Sequence, residues 1–221
     1  MKLIFILAIV SANLLGKSVL VPITHVFIPT GFDSNDHAEI VVEGYLPNLC
    51  YQNPRYKIEK RKKNIKVLVY ATKPSSAIFC PEVIVPFNLT VSLGVLSKGT
   101  YQIKGNKRSF MGAKKIIIEE AFSKEIDNYM YANVENITLR EGVLTLRGTN
   151  YTDCLKFDKI QIISNKKDVY AILPKVFLYK KKCNYNEEPF VYRINFHQKL
   201  FNDGTLFHVR VMGGKSINKI I

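Results

Sequence analysis

The amino-acid sequence predicts an all-β fold organised as two tandem, immunoglobulin-like β-sandwich modules, each stapled by one intramodule disulfide. Three observations predict it. Gly, Cys and Pro-Phe landmarks recur in the same order in the two halves, with Gly44 and Cys50 each 104 residues before Gly148 and Cys154. Between the landmarks, β-branched and aromatic residues alternate with polar ones at the period of a half-buried strand. The four cysteines divide into two pairs of nearly equal separation.

The chain opens with Met1, Lys2 and then the apolar run Leu3-Ile-Phe-Ile-Leu-Ala-Ile-Val10, followed by small and polar residues. Charged, then apolar, then small is the grammar of a secretory signal peptide. The run is well short of the ~20 residues a bilayer-spanning helix requires, so export without a transmembrane span is expected. Residues 1–18 are assigned to the signal, with cleavage after Ala12 or after Ser18, the second giving the more ordinary length. Removing 1–18 takes away Lys2 and Lys17 and no acid, which lowers the formal charge from +14 to +12.

Module 1 is expected over 19–108. Strands are predicted at 38–44, around Tyr56 and Ile58, around Ile65, Val67 and Val69, from Phe87 through Leu89, Val91 and Leu93, and at 101–104. A connector is placed at 109–126. The spacing of Ile118, Phe122, Ile126 and Met130 suits a short amphipathic helix there, and a strand pair is equally compatible. Module 2 is expected over 127–221, with strands at 143–148, around Ile160 and Ile162, around Val169, Ala171 and Leu173, from Phe190 through Tyr192, Ile194 and Phe196, and at 206–212. Several short strands at regular spacing point to sandwiches.

Four cysteines admit three connectivities. The repeat selects Cys50–Cys80 and Cys154–Cys183, one pair per module. In the chain-entropy picture, closing a loop of ~30 residues is worth about 3–4 kcal/mol. Metal knuckles place cysteines two to four residues apart, a spacing that does not occur here.

No residue constellation for catalysis is found. The four histidines, His25, His37, His197 and His208, show no metal-ligand spacing, and there is no Gly-x-Ser-x-Gly elbow. Met212-Gly-Gly-Lys215-Ser216 lacks the first glycine of a phosphate loop, since position 209 is Val. Asp33-Ser-Asn35-Asp36 reads as a turn whose side chains bond their own backbone, in preference to a calcium loop. His208 and Arg210 alternate with Phe207, Val209 and Val211, which puts them on an outer face expected to be solvated. Catalytic residues, metal ligands and cofactors are therefore all expected to be none.

The positive charge collects in turns: Lys60-Arg61-Lys62-Lys63, Lys166-Lys167 and Lys180-Lys181-Lys182. Lys62-Lys63 and Lys166-Lys167 hold matching places in the repeat. On a shared face these residues would attract a phosphate- or carboxylate-bearing polymer, with Tyr56, Tyr179 and Tyr185 nearby for stacking. A coding composition rich in Lys, Asn and Ile accounts for the same scatter without any ligand. The partner expected is an anionic envelope polymer or a protein, and no specific nucleic acid.

Gly44-Tyr-Leu-Pro-Asn-Leu-Cys50, Cys80, Pro86-Phe87 and Leu96-x-x-Gly99-Thr-Tyr101 together resemble the pattern of uncharacterised bacterial exported proteins and lipoproteins with disulfide-stapled immunoglobulin-like modules. The second copy departs from it at Asn150-Tyr151 and lacks the tyrosine after Gly204-Thr205. The resemblance implies a periplasmic or extracellular setting and brings no catalytic residues. The expected function is a non-enzymatic binding or structural protein of the cell envelope or exterior. Its alternatives are an enzyme on envelope polymers, using Glu119, Glu120, Glu125 or Asp127, and an inhibitor or chaperone that offers an edge strand.

Overall fold

A computed structural model describes residues 16–75, 79–123, 130–180, 182–196 and 203–221. These form strands and turns, with no helix among them. In chain order the first half holds β1 (Lys17–Val21), β2 (Ile23–Phe27), β3 (Phe32–Asp33), β4 (His37–Leu46), β5 (Gln52–Arg61), β6 (Asn64–Lys73), β7 (Val85–Val95), β8 (Gly99–Lys104) and β9 (Lys114–Glu119). The second holds β10 (Val134–Arg140), β11 (Val143–Thr152), β12 (Leu155–Ser164), β13 (Val169–Leu178), β14 (Tyr185–Asn195), β15 (Leu206–Val211) and β16 (Lys215–Ile220).

Each half is a three-on-four sandwich. In module 1 the sheet β2-β4-β7 faces β5, β6, β8 and β9, with β1 and β3 added along the second sheet; in module 2, β10-β11-β14 faces β12-β13-β15-β16. The predicted alternation is what builds the two cores. Ala38, Ile40 and Val42 of β4 and Ile65, Val67 and Val69 of β6 point into the first core. Leu144 and Leu146 of β11 and Phe207, Val209 and Val211 of β15 point into the second. Besides the short β3–β9 pair, one central pairing in each module departs from the antiparallel rule of immunoglobulin sheets. The second strand of each central hairpin lies beside the strand after the crossover, so β6 runs parallel to β8 and β13 parallel to β15.

The landmark glycines have a common physical cause. Gly44 pairs with Ile23 where the β2–β4 register shifts, and Gly148 pairs with Val134 where the β10–β11 register shifts. A Cβ on Gly44 would stand 2.3 Å from the Pro22 carbonyl oxygen and 2.6 Å from Phe87 Cζ; on Gly148 it would stand 2.0 Å from the Asn133 oxygen and 2.7 Å from Phe190 Cζ. The phenylalanine of each Pro-Phe landmark covers the glycine of its own module. Glycine and Pro-Phe therefore recur as a matched pair around a bulge, where backbone and ring approach too closely for a side chain.

Both disulfides are formed as the repeat implied, with Cα atoms 5.5 Å apart for Cys50–Cys80 and 5.2 Å for Cys154–Cys183. Each ties the corner after the long strand of the small sheet (β4 or β11) to the approach to β7 or β14.

The segment 109–126, assigned to a connector, contains β9. Ile116 and Ile118 of β9 are buried in the first core, and β9 pairs antiparallel with β8 and parallel with β3. At Ile116 and Ile118 the strand reading holds over the helical one, because alternate residues face a core already lined by β8. Residues 124–129 lie outside the described residues, as do 1–15 of the signal assignment. No helix of the described residues is long and apolar enough to cross a membrane.

Candidate functional site

The outward faces of β4 and β15 are not solvated: they meet. All six residues of β15 are buried. Phe207, Val209 and Val211 fill the core of module 2, while Leu206, His208 and Arg210 point at module 1. This corrects the expectation of a solvated face for His208 and Arg210: the alternation holds, and the surface it faces is invisible in a one-strand pattern. Phe27 and Val41 of module 1 pack on Val169, Leu206 and Ile220 of module 2 to make an apolar junction.

Beside that apolar patch lies a buried polar cluster. Arg210 Nη1 donates to Asp36 Oδ2 at 2.8 Å and to Tyr131 Oη at 3.2 Å, and Nη2 donates to the Thr30 carbonyl at 3.3 Å. The guanidinium carbon sits 3.9 Å from the centre of the Phe32 ring. The turn at 33–36 forms as expected, with the Asp33 N–H donating to Asp36 Oδ2 and the Asn35 N–H to Asp33 Oδ1. It has a second use, which is to aim Asp36 across the junction.

His208 is fully buried, and its pKa is pushed down to about 3 by burial and then by the neighbouring Arg210 charge, against the bond to Asn218. The imidazole is neutral, so Nδ1–H donates to Asn218 Oδ1 at 2.8 Å. Glu39, on β4, accepts from Ser216 Oγ; burial raises its pKa, opposed by bonds from Ser216 and Asn218 and by the Arg210 charge. Asn218 also donates to Thr90 Oγ1 of module 1 at 2.9 Å. The space among these groups is about 10 Å³, too small for a ligand. The cluster fixes one module on the other.

A larger opening lies along the same junction. A groove of about 400 Å³ is lined by Val26, Ile28 and Thr30, by Ala113, Lys114 and Lys115 at the start of β9, and by Asn165, Lys167 and Asp168 in the β12–β13 turn. Asn165 shapes that turn: its Oδ1 accepts the N–H groups of Lys167, Asp168 and Val169. Its Nδ2 reaches across to the Ile28 carbonyl at 3.5 Å. The groove's one acid is already engaged, since Asp168 bonds His25 Nε2 at 2.9 Å and Asn165 Nδ2 at 2.8 Å. Lys114, Lys115 and Lys167 thus line the groove from both modules, with their charge uncompensated by an ion pair among the described residues.

The nine cationic residues singled out from the sequence fall at three separate places. Lys60 Nζ donates to the Leu93 carbonyl, and Lys63 Nζ to Lys98 O and Tyr101 Oη while lying 4.2 Å over the Tyr101 ring. These two tie the β5–β6 turn to its own module. Arg61 and Lys62 are exposed at that turn. Lys166 and Lys167 are exposed at the β12–β13 turn, and Lys180 and Lys182 lie beyond the other end of the same hairpin, about 30 Å away at strand rise. Lys180 is paired with Asp153; Lys181 lies outside the described residues. Of the nine, the groove recruits Lys167. Lys114 and Lys115 carry no sequence signal of their own, since they fall in the segment assigned to a connector and the groove exists only once the modules dock. Of the acids named for an enzymatic alternative, Glu120 pairs with Lys98, and Glu125 and Asp127 lie outside the described residues.

A second cleft, of about 310 Å³, opens between β12 and β14 of module 2. Phe157 and Tyr192 bridge it with ring centroids 4.3 Å apart, and Phe190 stacks on Tyr192 at 4.6 Å. Asn133, Asn150, Lys156 and Glu188 supply its polar lining. Burial, then the Glu188 charge, raises the Tyr192 hydroxyl pKa. The matching seam of module 1 is tied shut by the Tyr56 hydroxyl, which accepts the Ser92 N–H at 3.2 Å, and by Lys60 on Leu93 O. Ile160 and Ser164 stand at the places of Tyr56 and Lys60 in the second copy. Neither tether is available there.

Residues 40–112, from within β4 to just before β9, match the family described as the ORF11 beta-sandwich domain. Comparison with curated proteins and with solved structures gave no match. The chain is a disulfide-containing β-sandwich protein on the combined footing of that match, its strands and its two disulfides.

Proposed function

We propose that the protein is a non-enzymatic, exported binding protein of a bacterial envelope or exterior, and that it engages an anionic polymer in the groove between its modules. The observation that carries this reading is a groove lined by Lys114, Lys115 and Lys167 whose one acid among the described residues is already bonded to His25 and Asn165. Three cations on two rigidly joined bodies attract successive anionic groups of a chain. The formal charge, +14 for the whole chain and 14 − 1 = +13 once Lys2 leaves with a signal cut after Ala12, adds long-range attraction.

Export is supported by the N-terminal apolar run and by two disulfides, which form and persist in oxidising compartments. Cleavage after Ala12 suits the fold better than cleavage after Ser18. β1 pairs with β6 from Lys17↔Lys73 onward, and the later cut would strip its first two residues.

The test is retention of the oxidised protein on immobilised dextran sulfate and polyphosphate through a salt gradient. Lys114→Glu/Lys115→Glu/Lys167→Glu is expected to elute at much lower salt than Lys57→Glu/Lys62→Glu/Lys182→Glu, which changes the net charge equally. Equal shifts in the two triple variants would reduce the effect to net charge and remove the groove from the account.

A further inference from the structure

We infer that the open seam of module 2 is a second, separate binding site, and that its ligand is an uncharged oligosaccharide. The argument rests on what lines the cleft and on what is already used. Phe157, which is 42% exposed, is the outer ring of a stack that continues through Tyr192 to Phe190, so the aromatic surface left for a ligand is chiefly that of Phe157. Asn133 Nδ2 is committed to the Thr149 carbonyl and Asn150 Nδ2 to the Leu155 carbonyl. What remains for a ligand is two amide oxygens and the Glu188 carboxylate as acceptors, with the Tyr192 hydroxyl and Lys156, whose Nζ lies 4.2 Å over the Tyr179 ring, as donors.

A ligand that fits this set has an apolar face for the rings and several hydroxyl donors at its edge, which describes a pyranose ring. A volume of about 310 Å³ is at the lower end for small-molecule sites and holds about two such rings. Lys156 and Glu188 offset each other in the lining, so the cleft lacks the uncompensated positive charge of the lysine groove and suits an uncharged occupant. The seam is open for a reason written in the second repeat alone: Ile160 and Ser164 replace the two residues that close module 1, and Phe157 and Tyr192 stand where module 1 has Asn53 and Leu89. The duplication kept the fold and exchanged a closed seam for an aromatic one.

The experiment is calorimetric titration of the full oxidised protein with cellotetraose, chitotetraose and maltotetraose, alongside an array of neutral oligosaccharides and one of extended peptides. At least one neutral oligosaccharide is expected to bind, with affinity reduced tenfold or more by Phe157→Ala and by Glu188→Ala and unchanged in Lys114→Glu/Lys115→Glu/Lys167→Glu. Both single substitutions are at solvent-accessible positions, and retained thermal unfolding in Glu188→Ala separates a binding loss from a folding loss. No oligosaccharide bound on the array, or binding indifferent to both substitutions, would overturn the inference. Peptide binding abolished by Phe157→Ala would overturn the ligand class.

Discussion

Replacing Arg210 with methionine perturbs the junction at its most enclosed point. The side chains of Arg210 and Asp36 are 6% and 7% exposed and joined at 2.8 Å. Methionine keeps much of the apolar contact with Phe32 and removes the charge, which leaves the Asp36 carboxylate buried with the Asp33 N–H as its remaining donor here. Breaking one side of a buried pair costs about 3–5 kcal/mol, which for a chain of this size is roughly 6–20 °C of melting temperature. Asp36→Asn removes the stranded charge, so Arg210→Met/Asp36→Asn should be more stable than the two single losses summed, by about 1–3 kcal/mol. The assay is urea unfolding under non-reducing conditions, followed by a probe in each module. The wild type is expected to unfold in one transition and Arg210→Met in two, because the modules then separate before they melt. Single substitutions that each cost under about 1 kcal/mol and simply add would refute the reasoning.

Acid should weaken the same junction through His208. Its folded pKa of about 3 lies below the ordinary 6.5, so the unfolded chain binds the proton first; the stability is fully present above 6.5 and lost as pH falls toward 3. Between pH 7.5 and pH 5 the wild type should lose about 2 kcal/mol that His208→Gln does not lose, measured by urea unfolding at both pH values. The raised Glu39 pKa acts in the opposite sense, its contribution fading as pH rises through its folded value, and it is common to both proteins. Gly148→Ala and Gly44→Ala should each destabilise by more than about 2 kcal/mol, since a Cβ there meets backbone oxygen; thermal melts near wild type would contradict the shared bulge. Mass spectrometry of the exported protein should find Asn13 as its first residue, and Val19 would favour the later cut.

Much of the fold was legible because it is written locally. Gly44 with Phe87 and Gly148 with Phe190 mark bulges, Cys50–Cys80 and Cys154–Cys183 mark corners, and the alternation in β4, β6 and β15 marks cores. The long-range pairings were not. Nothing in the residues of β6 or β8 announces that they run parallel, since that depends on which strand of the hairpin turns inward. β9 falls inside the segment assigned to a connector because the fourfold spacing of Ile118, Phe122, Ile126 and Met130 suits a helix as well as a strand pair.

The sites were less legible than the fold. Lysine runs were visible, but whether a lysine is spent on a carbonyl, as Lys60 and Lys63 are, or left facing a groove, as Lys167 is, depends on partners 30 or more positions away. The Asp36–Arg210 pair spans 174 positions and the whole repeat. The aromatic cleft had one readable sign, the change from Asn53 and Leu89 to Phe157 and Tyr192 between copies, which gains meaning only once the seam of module 1 is seen closed.

The most direct test of the central claim is the salt dependence of polyphosphate binding, measured by equilibrium titration of the wild type and of Lys114→Glu/Lys115→Glu/Lys167→Glu. Each cation that meets an anionic group adds nearly one unit to the slope of log affinity against log salt, so the groove variant should bind with a slope smaller by about two to three. The same slope in both proteins would contradict the groove as the polymer's seat.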